Sequence, residues 1–242
     1  MAEPWFVEAF RAAYLDVYPH RTLDAARREA KFLVELGVRG RVLDVCCGSG
    51  RHCAALRELG VSAFGLDLSR DLLGRARSLA SELGGRLLCG DARALPIASA
   101  RLDAVVSLFS SFGYFGESGD RTMLLEVGRV LAPGGRFVVD LMNPAHVRAT
   151  LVPRSVTERN GITVEEARSL TDGGRRVQKE VELRARDGST TSWREDVRLY
   201  EAAELAPWLA QAGLDLRASH GDFDGSPASA SAPRQILLAC RR

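Results

Sequence analysis

The sequence predicts a doubly wound α/β fold: a mostly parallel seven-stranded sheet with a small antiparallel β insertion after the fifth strand. Three observations carry that expectation. Apolar runs of strand length alternate with stretches of helical periodicity from residue 41 to residue 142, and such alternation implies a parallel sheet with right-handed crossovers. The first run, Arg41-Val42-Leu43-Asp44-Val45, enters a turn of small residues, Cys46-Cys47-Gly48-Ser49-Gly50, and then a helix with Cys53, Leu56 and Leu59 at helical spacing. The alternation stops near Leu151, where three strand-like segments separated by Asp-Gly turns begin.

The elements follow in order. Pro4 to Leu36 reads as mostly helical, with Phe6, Phe10, Tyr14 and Val17 on one stripe and a break at Pro19 before Phe32, Val34 and Leu36. Ser69 suits a helix N-cap, Leu72, Leu73, Ala76, Leu79 and Leu83 form the apolar stripe behind it, and Gly84-Gly85 ends the helix. A strand at Arg86 to Cys89, a buried strand at Leu102 to Leu108, a helix capped by Asp120 and a strand at Arg136 to Met142 complete the alternation. Residues 151–200 then offer strands at Ile162 to Leu170, Arg175 to Ala185 and Thr190 to Tyr200, whose alternating charges suit a solvated outer face. A last helix is expected around Leu205 to Gly213, regular only from Pro207, followed by a strand pair at Leu214 to Ser219 and Gln235 to Cys240. The expected organisation is therefore a core of residues 1–150 and 201–242, with residues 151–200 as an inserted subdomain beside the ligand end of the sheet.

Composition narrows the function classes. The 242 residues are 46% hydrophobic, and 33 basic residues are interleaved with 31 acidic ones for a net charge of +2, which disfavours a nucleic-acid surface. With no basic-then-apolar leader and no apolar run of membrane-spanning length, a soluble cytoplasmic chain is expected, with no membrane partner. The five cysteines are not spaced as a disulfide framework, and Cys46, Cys47, His52 and Cys53 lack C-x-x-C spacing. They read as small core residues, and no metal is expected.

The glycine turn is the chemical centre of the chain. Gly48 and Gly50 let a ligand approach the backbone closely, and the helix behind them offers unpaired N–H groups. A dinucleotide fold wants G-x-G-x-x-G or A, but Cys53 stands where the third small residue belongs. Acids recur instead: Asp44 inside the first strand, Asp67 ending Ala63-Phe64-Gly65-Leu66-Asp67, and Asp91 in Gly90-Asp91-Ala92, with a late Leu131-Ala132-Pro133-Gly134-Gly135 turn. From Val42 to Met142 this order resembles the class I S-adenosylmethionine-dependent methyltransferases. The family has Gly where this chain has Cys46, which resembles a bacterial subgroup reading C-C-G-S/T-G-R-H, and the thiol is expected to narrow the methionine pocket slightly.

The resemblance implies a methyltransferase that binds S-adenosylmethionine through Asp44, Cys46, Gly48, Gly50, Asp67 (ribose), Leu68, Asp91 (adenine), Ala92 and Leu108. For the N-terminal aromatics two readings stand: packing against the sheet, or, as the resemblance implies, a lid of Tyr14, Tyr18, His20 and Arg21 over the cofactor, with Arg21 then pairing with the methionine carboxylate. The donor is already activated, so the enzyme must mainly align the nucleophile and exclude water. Tyr114, His146 and Asp222 are the catalytic candidates, with His220 as a further proton acceptor. Ser110-Ser111-Phe112-Gly113-Tyr114-Phe115 suits an acceptor wall facing Asp222 and Asp224 beside Phe223. Carboxylates and ring faces together suit an amine, so a small-molecule acceptor and N-methylation are expected over O-methylation, in a monomer or homodimer. The alternatives are a nucleic-acid methyltransferase, disfavoured by the absence of an Asn/Asp-Pro-Pro-aromatic turn at Ser107-Leu108-Phe109-Ser110, and a non-catalytic binding protein, disfavoured by the intact acids.

Overall fold

Val42, Leu43, Asp44 and Val45 are all buried along one strand, as expected of a parallel strand covered by helices on both faces. The computed structural model describes residues 4–11, 14–18, 21–79, 83, 85–159 and 161–242. Pro19, His20 and Gly84 lie outside the described residues. In chain order the strands are β1 (Arg41–Val45), β2 (Ser62–Asp67), β3 (Leu87–Cys89), β4 (Leu102–Ser107), β5 (Leu131–Met142), β6 (Arg154–Arg159), β7 (Ile162–Thr171), β8 (Arg176–Arg184), β9 (Thr190–Arg198), β10 (Leu214–His220) and β11 (Arg234–Arg241). The helices are α1 (Trp5–Ala9), α2 (Tyr14–Val17), α3 (Leu23–Glu35), α4 (Arg51–Glu58), α5 (Arg70–Leu79), α6 (Gly116–Val130), α7 (Pro144–Thr150) and α8 (Ala202–Gln211).

Seven strands form one sheet in the order β10-β11-β5-β4-β1-β2-β3, and only β11 runs against its neighbours. Successive residues feed opposite core layers: Val42, Ala104, Val106 and Val138 pack on one side, Leu43, Val45, Val105, Phe137 and Val139 on the other, which is the period-two geometry of strands. The first layer is closed by α3, α4 and α5, the second by α6 and α8. Neither layer uses a residue from 151–198.

The insertion is a separate antiparallel sheet of four strands, β6-β7-β8-β9, rather than three. Sequence reading missed β6 because Arg154-Ser155-Val156-Thr157-Glu158-Arg159 is an edge strand with no fully buried position, so it carries little apolar alternation. Val164, Val181, Leu183 and Trp193 pack against Ala9, Tyr14 and Val17 of the N-terminal helices. The Arg198 N–H donates to the Gly113 carbonyl at 2.9 Å. A Cβ on Gly113 would lie 2.6 Å from the Arg198 carbonyl oxygen, so only glycine permits this approach.

Two helix starts differ from expectation. Helix α6 begins at Gly116, and Asp120 sits one turn inside, where its buried carboxylate accepts from the Tyr200 hydroxyl at 2.8 Å and reaches back to the Phe115 N–H at 3.2 Å. Helix α8 begins five residues before Pro207, because Glu201 and Glu204 form a reciprocal capping box. Pro207 removes one helical hydrogen bond, a loss offset by the burial of Leu205 and Leu209. No helix among the described residues is long and apolar enough to cross a membrane.

Candidate active site

The carboxyl ends of β1, β2, β3 and β4 converge on one cleft, as the topology of an open α/β sheet requires. Its lining includes Asp44, Cys46, Gly48, Asp67, Leu68, Asp91, Ala92, Leu108 and, from the N-terminal segment, Phe6, Phe10, Tyr14 and Arg21. Asp67 fixes the turn: its carboxylate accepts from the Gly48 N–H and the Ser69 N–H, both at 2.8 Å. Burial pushes the Asp67 carboxyl above its ordinary value, and the two backbone donors pull it back. Cys46 adopts φ +61°, a left-handed conformation that favours glycine. Burial pushes its thiol well above the ordinary value, so it remains protonated against the cleft. Asp91 is held below the usual carboxylate range by Arg93, which bridges it at 2.6 Å.

Arginines crowd one end of the cleft. Arg51, the first residue of α4, donates to Glu29 at 2.8 Å, and the His52 ring meets the same carboxylate at 2.6 Å. Burial lowers His52 to about 4, so the imidazole is neutral. Arg21 donates to the Tyr14 hydroxyl and lies over the Tyr18 ring at 4.2 Å. It has no carboxylate partner among the described residues. Two buried N–H groups remain without partners here, Arg21 Nε and Arg51 Nη2. Buried charged donors without an acceptor are costly, and they mark a place that suits an anion.

A second chamber of about 620 Å3 opens beside the first and shares Tyr14, Arg21, Phe109 and Tyr114 with it. The far wall is the inner face of the inserted sheet, with Ser155, Glu166, Arg168, Val177, Lys179, Glu195 and Val197. Its charges are paired: Arg168 with Glu166 at 2.6 Å, and Lys179 with Glu195 at 3.1 Å and Glu166 at 3.5 Å. Glu195 also accepts from the Tyr18 hydroxyl at 2.9 Å and the Trp193 indole at 3.1 Å. Burial pushes the Tyr114 hydroxyl well above its ordinary value. That hydroxyl makes no hydrogen bond among the described residues.

Residues 42–135 match a family described as a methyltransferase domain. The chain is 31% identical over 191 residues to dTDP-3-amino-3,4,6-trideoxy-alpha-D-glucopyranose N,N-dimethyltransferase of Streptomyces venezuelae, which spans 76% of this chain and 79% of that protein. The chain belongs to the S-adenosylmethionine-dependent methyltransferase family. The enzyme is also 29% identical over 209 residues to the cypemycin N-terminal methyltransferase of a Streptomyces species, covering 83% of this chain and 82% of that one. It spans only 20% of the length of a further relative, the biotin biosynthesis bifunctional protein BioHC of Cellvibrio japonicus, at 32% identity. Its fold is similar to that of the CcbJ methyltransferase from Streptomyces caelestis, with a TM-score of 0.78 over 90% of this chain and 95% of that chain at 24% identity.

The methyltransferase brings nearly all of the expected cofactor residues together, with one exception. Gly50 does not line the cleft: it caps α4 at φ +71°, and its missing Cβ makes room for Leu83 and Ala76 at 3.0 and 3.2 Å. Tyr114 stands between the two chambers. His146 and Asp222 line neither chamber. The His146 ring meets the Ser231 carbonyl at 3.1 Å, and the Asp222 carboxylate caps its own turn through the Phe223 N–H at 2.8 Å. His220 is likewise outside both chambers, edge-on to Phe32. Phe112 faces the core against Tyr200, not an acceptor, because Gly113 turns the chain between it and Tyr114. Sequence reading missed Arg51, Glu166, Arg168, Lys179 and Glu195. Glu166 and Arg168 lie two apart and so share one face of a strand, but that spacing does not say whether the face meets a chamber or water.

One pH dependence follows. Burial pushes the Asp44 carboxyl up to about 7, countered by Arg51 and reinforced by Asp67. Below that pH Asp44 is protonated, and S-adenosylmethionine brings two positive charges that favour its ionised form. Binding therefore releases a proton at pH 6, and affinity rises about tenfold from pH 6 to 8, flattening above 7. Calorimetry in buffers of different ionisation enthalpy reads the release directly. Asp44→Asn should abolish it, and a flat profile in the wild type would refute the assignment.

Proposed function

We propose that this methyltransferase transfers the methyl group of S-adenosylmethionine to an amine nitrogen of a polar small molecule of about sugar size. The observation that carries this reading is the second chamber, whose wall of paired Glu166, Arg168, Lys179 and Glu195 meets the rings of Tyr14, Tyr18, Phe109 and Tyr114 at the mouth of the cofactor cleft. Carboxylates and ring faces attract an amine, and the compensating cations keep the chamber from favouring a polyvalent ligand. The carboxylates come from the inserted sheet, in place of Asp222 and Asp224. Two relatives whose names denote an amino-sugar N,N-dimethyltransferase and an N-terminal methyltransferase support a nitrogen acceptor.

When bound, the cofactor supplies a methyl group activated on a sulfonium. The protein's part is alignment. Asp67 takes the ribose, Asp91 the adenine, and Arg21 with Arg51 the carboxylate, through their unpartnered N–H groups. Tyr114 cannot act as a base, because burial keeps it protonated. The acceptor reacts as the neutral amine, its ammonium proton given up to solvent before transfer, and the Tyr114 hydroxyl oxygen accepts a remaining N–H, which turns the nitrogen lone pair toward the cleft. The inserted sheet supplies the far wall of the chamber.

Incubation with methyl-labelled cofactor and paired panels of amino sugars and their hydroxyl counterparts, read by mass spectrometry, tests the acceptor class. Label on nitrogen is expected, and label only on oxygen would refute it. With the preferred amine in hand, Tyr114→Phe should lower kcat about 10- to 100-fold while cofactor affinity stays within about twofold.

A further inference from the structure

Where the two chambers meet at Phe109 lies an arrangement the proposed chemistry does not use directly. Phe109 and Ser110 both adopt φ +57°, a left-handed conformation that is unfavourable for non-glycine residues and persists only where the surroundings enforce it. The enforcement comes from Asp140, which is wholly buried near the end of β5. Its carboxylate accepts from the Phe109 N–H at 2.7 Å, and its carbonyl from the Ser110 N–H at 3.0 Å. Arg234, at the start of β11, grips the same carboxylate with both arms of its guanidinium, the Nε arm at 2.5 Å.

The ring held this way is a platform for cations. The guanidinium carbons of Arg51, Arg234 and Arg21 lie 4.1, 4.7 and 5.0 Å from the centre of the Phe109 ring. Three like charges around one ring repel unless each is answered. Arg234 is answered by Asp140 and Arg51 by Glu29, which leaves Arg21 as the uncompensated charge. The ring face attracts each guanidinium and limits where it can point.

We propose that Asp140 and Arg234 are positioning residues for the cofactor: as a buried pair they hold Phe109 beneath Arg21 and Arg51, and so aim the two unpartnered N–H groups at the cofactor's carboxylate. This rests on the reading of Arg21 and Arg51 as the carboxylate site. Without the Asp140 acceptor, the Phe109 N–H is buried and unpaired, and the two residues relax out of the left-handed region. The ring then leaves the guanidiniums, and the geometry of the anion site is lost while the ribose and adenine contacts remain.

The test needs no methyl acceptor. The affinities of S-adenosylmethionine and of its decarboxylated analogue, which differ only in the carboxylate, are measured by calorimetry. The wild type is expected to prefer S-adenosylmethionine by on the order of 10- to 100-fold. In the double variant Asp140→Leu/Arg234→Leu, which removes both the acceptor of the Phe109 N–H and the guanidinium grip without leaving a net charge, the preference should fall to within about threefold. A purely structural role would weaken both ligands equally and leave the ratio untouched, so a folded double variant with the wild-type ratio overturns the proposal. Phe109→Leu, which removes only the platform, should also lower the ratio, and it decides the matter if the double variant does not fold. A wild-type ratio near one would instead remove the carboxylate site itself, and the positioning role with it.

Discussion

Asp67→Ala is expected to weaken S-adenosylmethionine binding by about 2 to 4 kcal/mol, a loss calorimetry resolves easily. Two effects add. The carboxylate that would take two ribose hydroxyls is gone, and so is the acceptor that ties the Gly48 N–H to the end of β2 at 2.8 Å. Asp67→Asn separates them, because it keeps one acceptor oxygen for the turn but replaces the other by a donor and removes the charge. An intermediate loss is expected for Asn, and an unchanged affinity for Ala would exclude Asp67 from the cofactor site.

Excising the inserted sheet, residues 154–198, in favour of a short Gly/Ser linker should leave a folded protein that still binds cofactor but no longer methylates its acceptor. The core layers on both faces of the seven-stranded sheet close without any residue from this segment. The chamber wall, in contrast, is lost with Glu166, Arg168, Lys179 and Glu195. Cofactor affinity should fall by roughly tenfold, since Tyr14 and Val17 lose the packing of Val164, Val181 and Trp193 and Arg21 is then less firmly held. Normal turnover in the excised protein would make the sheet a decoration. Unfolding would show that the two sheets form one cooperative unit.

How much of the site was legible depended on how local its geometry is. The turn from Asp44 to Gly50, Asp67 and Asp91 each follow a strand end, and a parallel sheet brings successive strand ends together whatever the loops contain. Eight of the residues expected at the cofactor line one cleft for that reason, and Arg21 joins them from the N-terminal segment. His146 and Asp222 also follow strands, but α7 and the turn at Asp222 carry them away from the cleft, and side-chain direction in a loop is not written in spacing. The acidic loop was expected to face the aromatic wall. Instead Phe223 packs on Phe32 and stacks near Phe109, the Asp222 carboxylate caps its own turn and Asp224 is exposed.

The amino-acid sequence by itself determined the order of strands and helices, the seven-stranded sheet and the cofactor turn. These follow from apolar periodicity and from glycine and acid placement within a few residues of one another. Only the tertiary structure decided the second chamber and the arginine cluster around Phe109. Glu195 meets Tyr18 across 177 positions of chain, and Arg234 meets Asp140 across 94. On a strand, a charge facing a chamber and a charge facing water have the same local pattern. Which one a residue becomes is settled by what packs opposite it, and here that is an N-terminal helix laid against a sheet more than a hundred residues away.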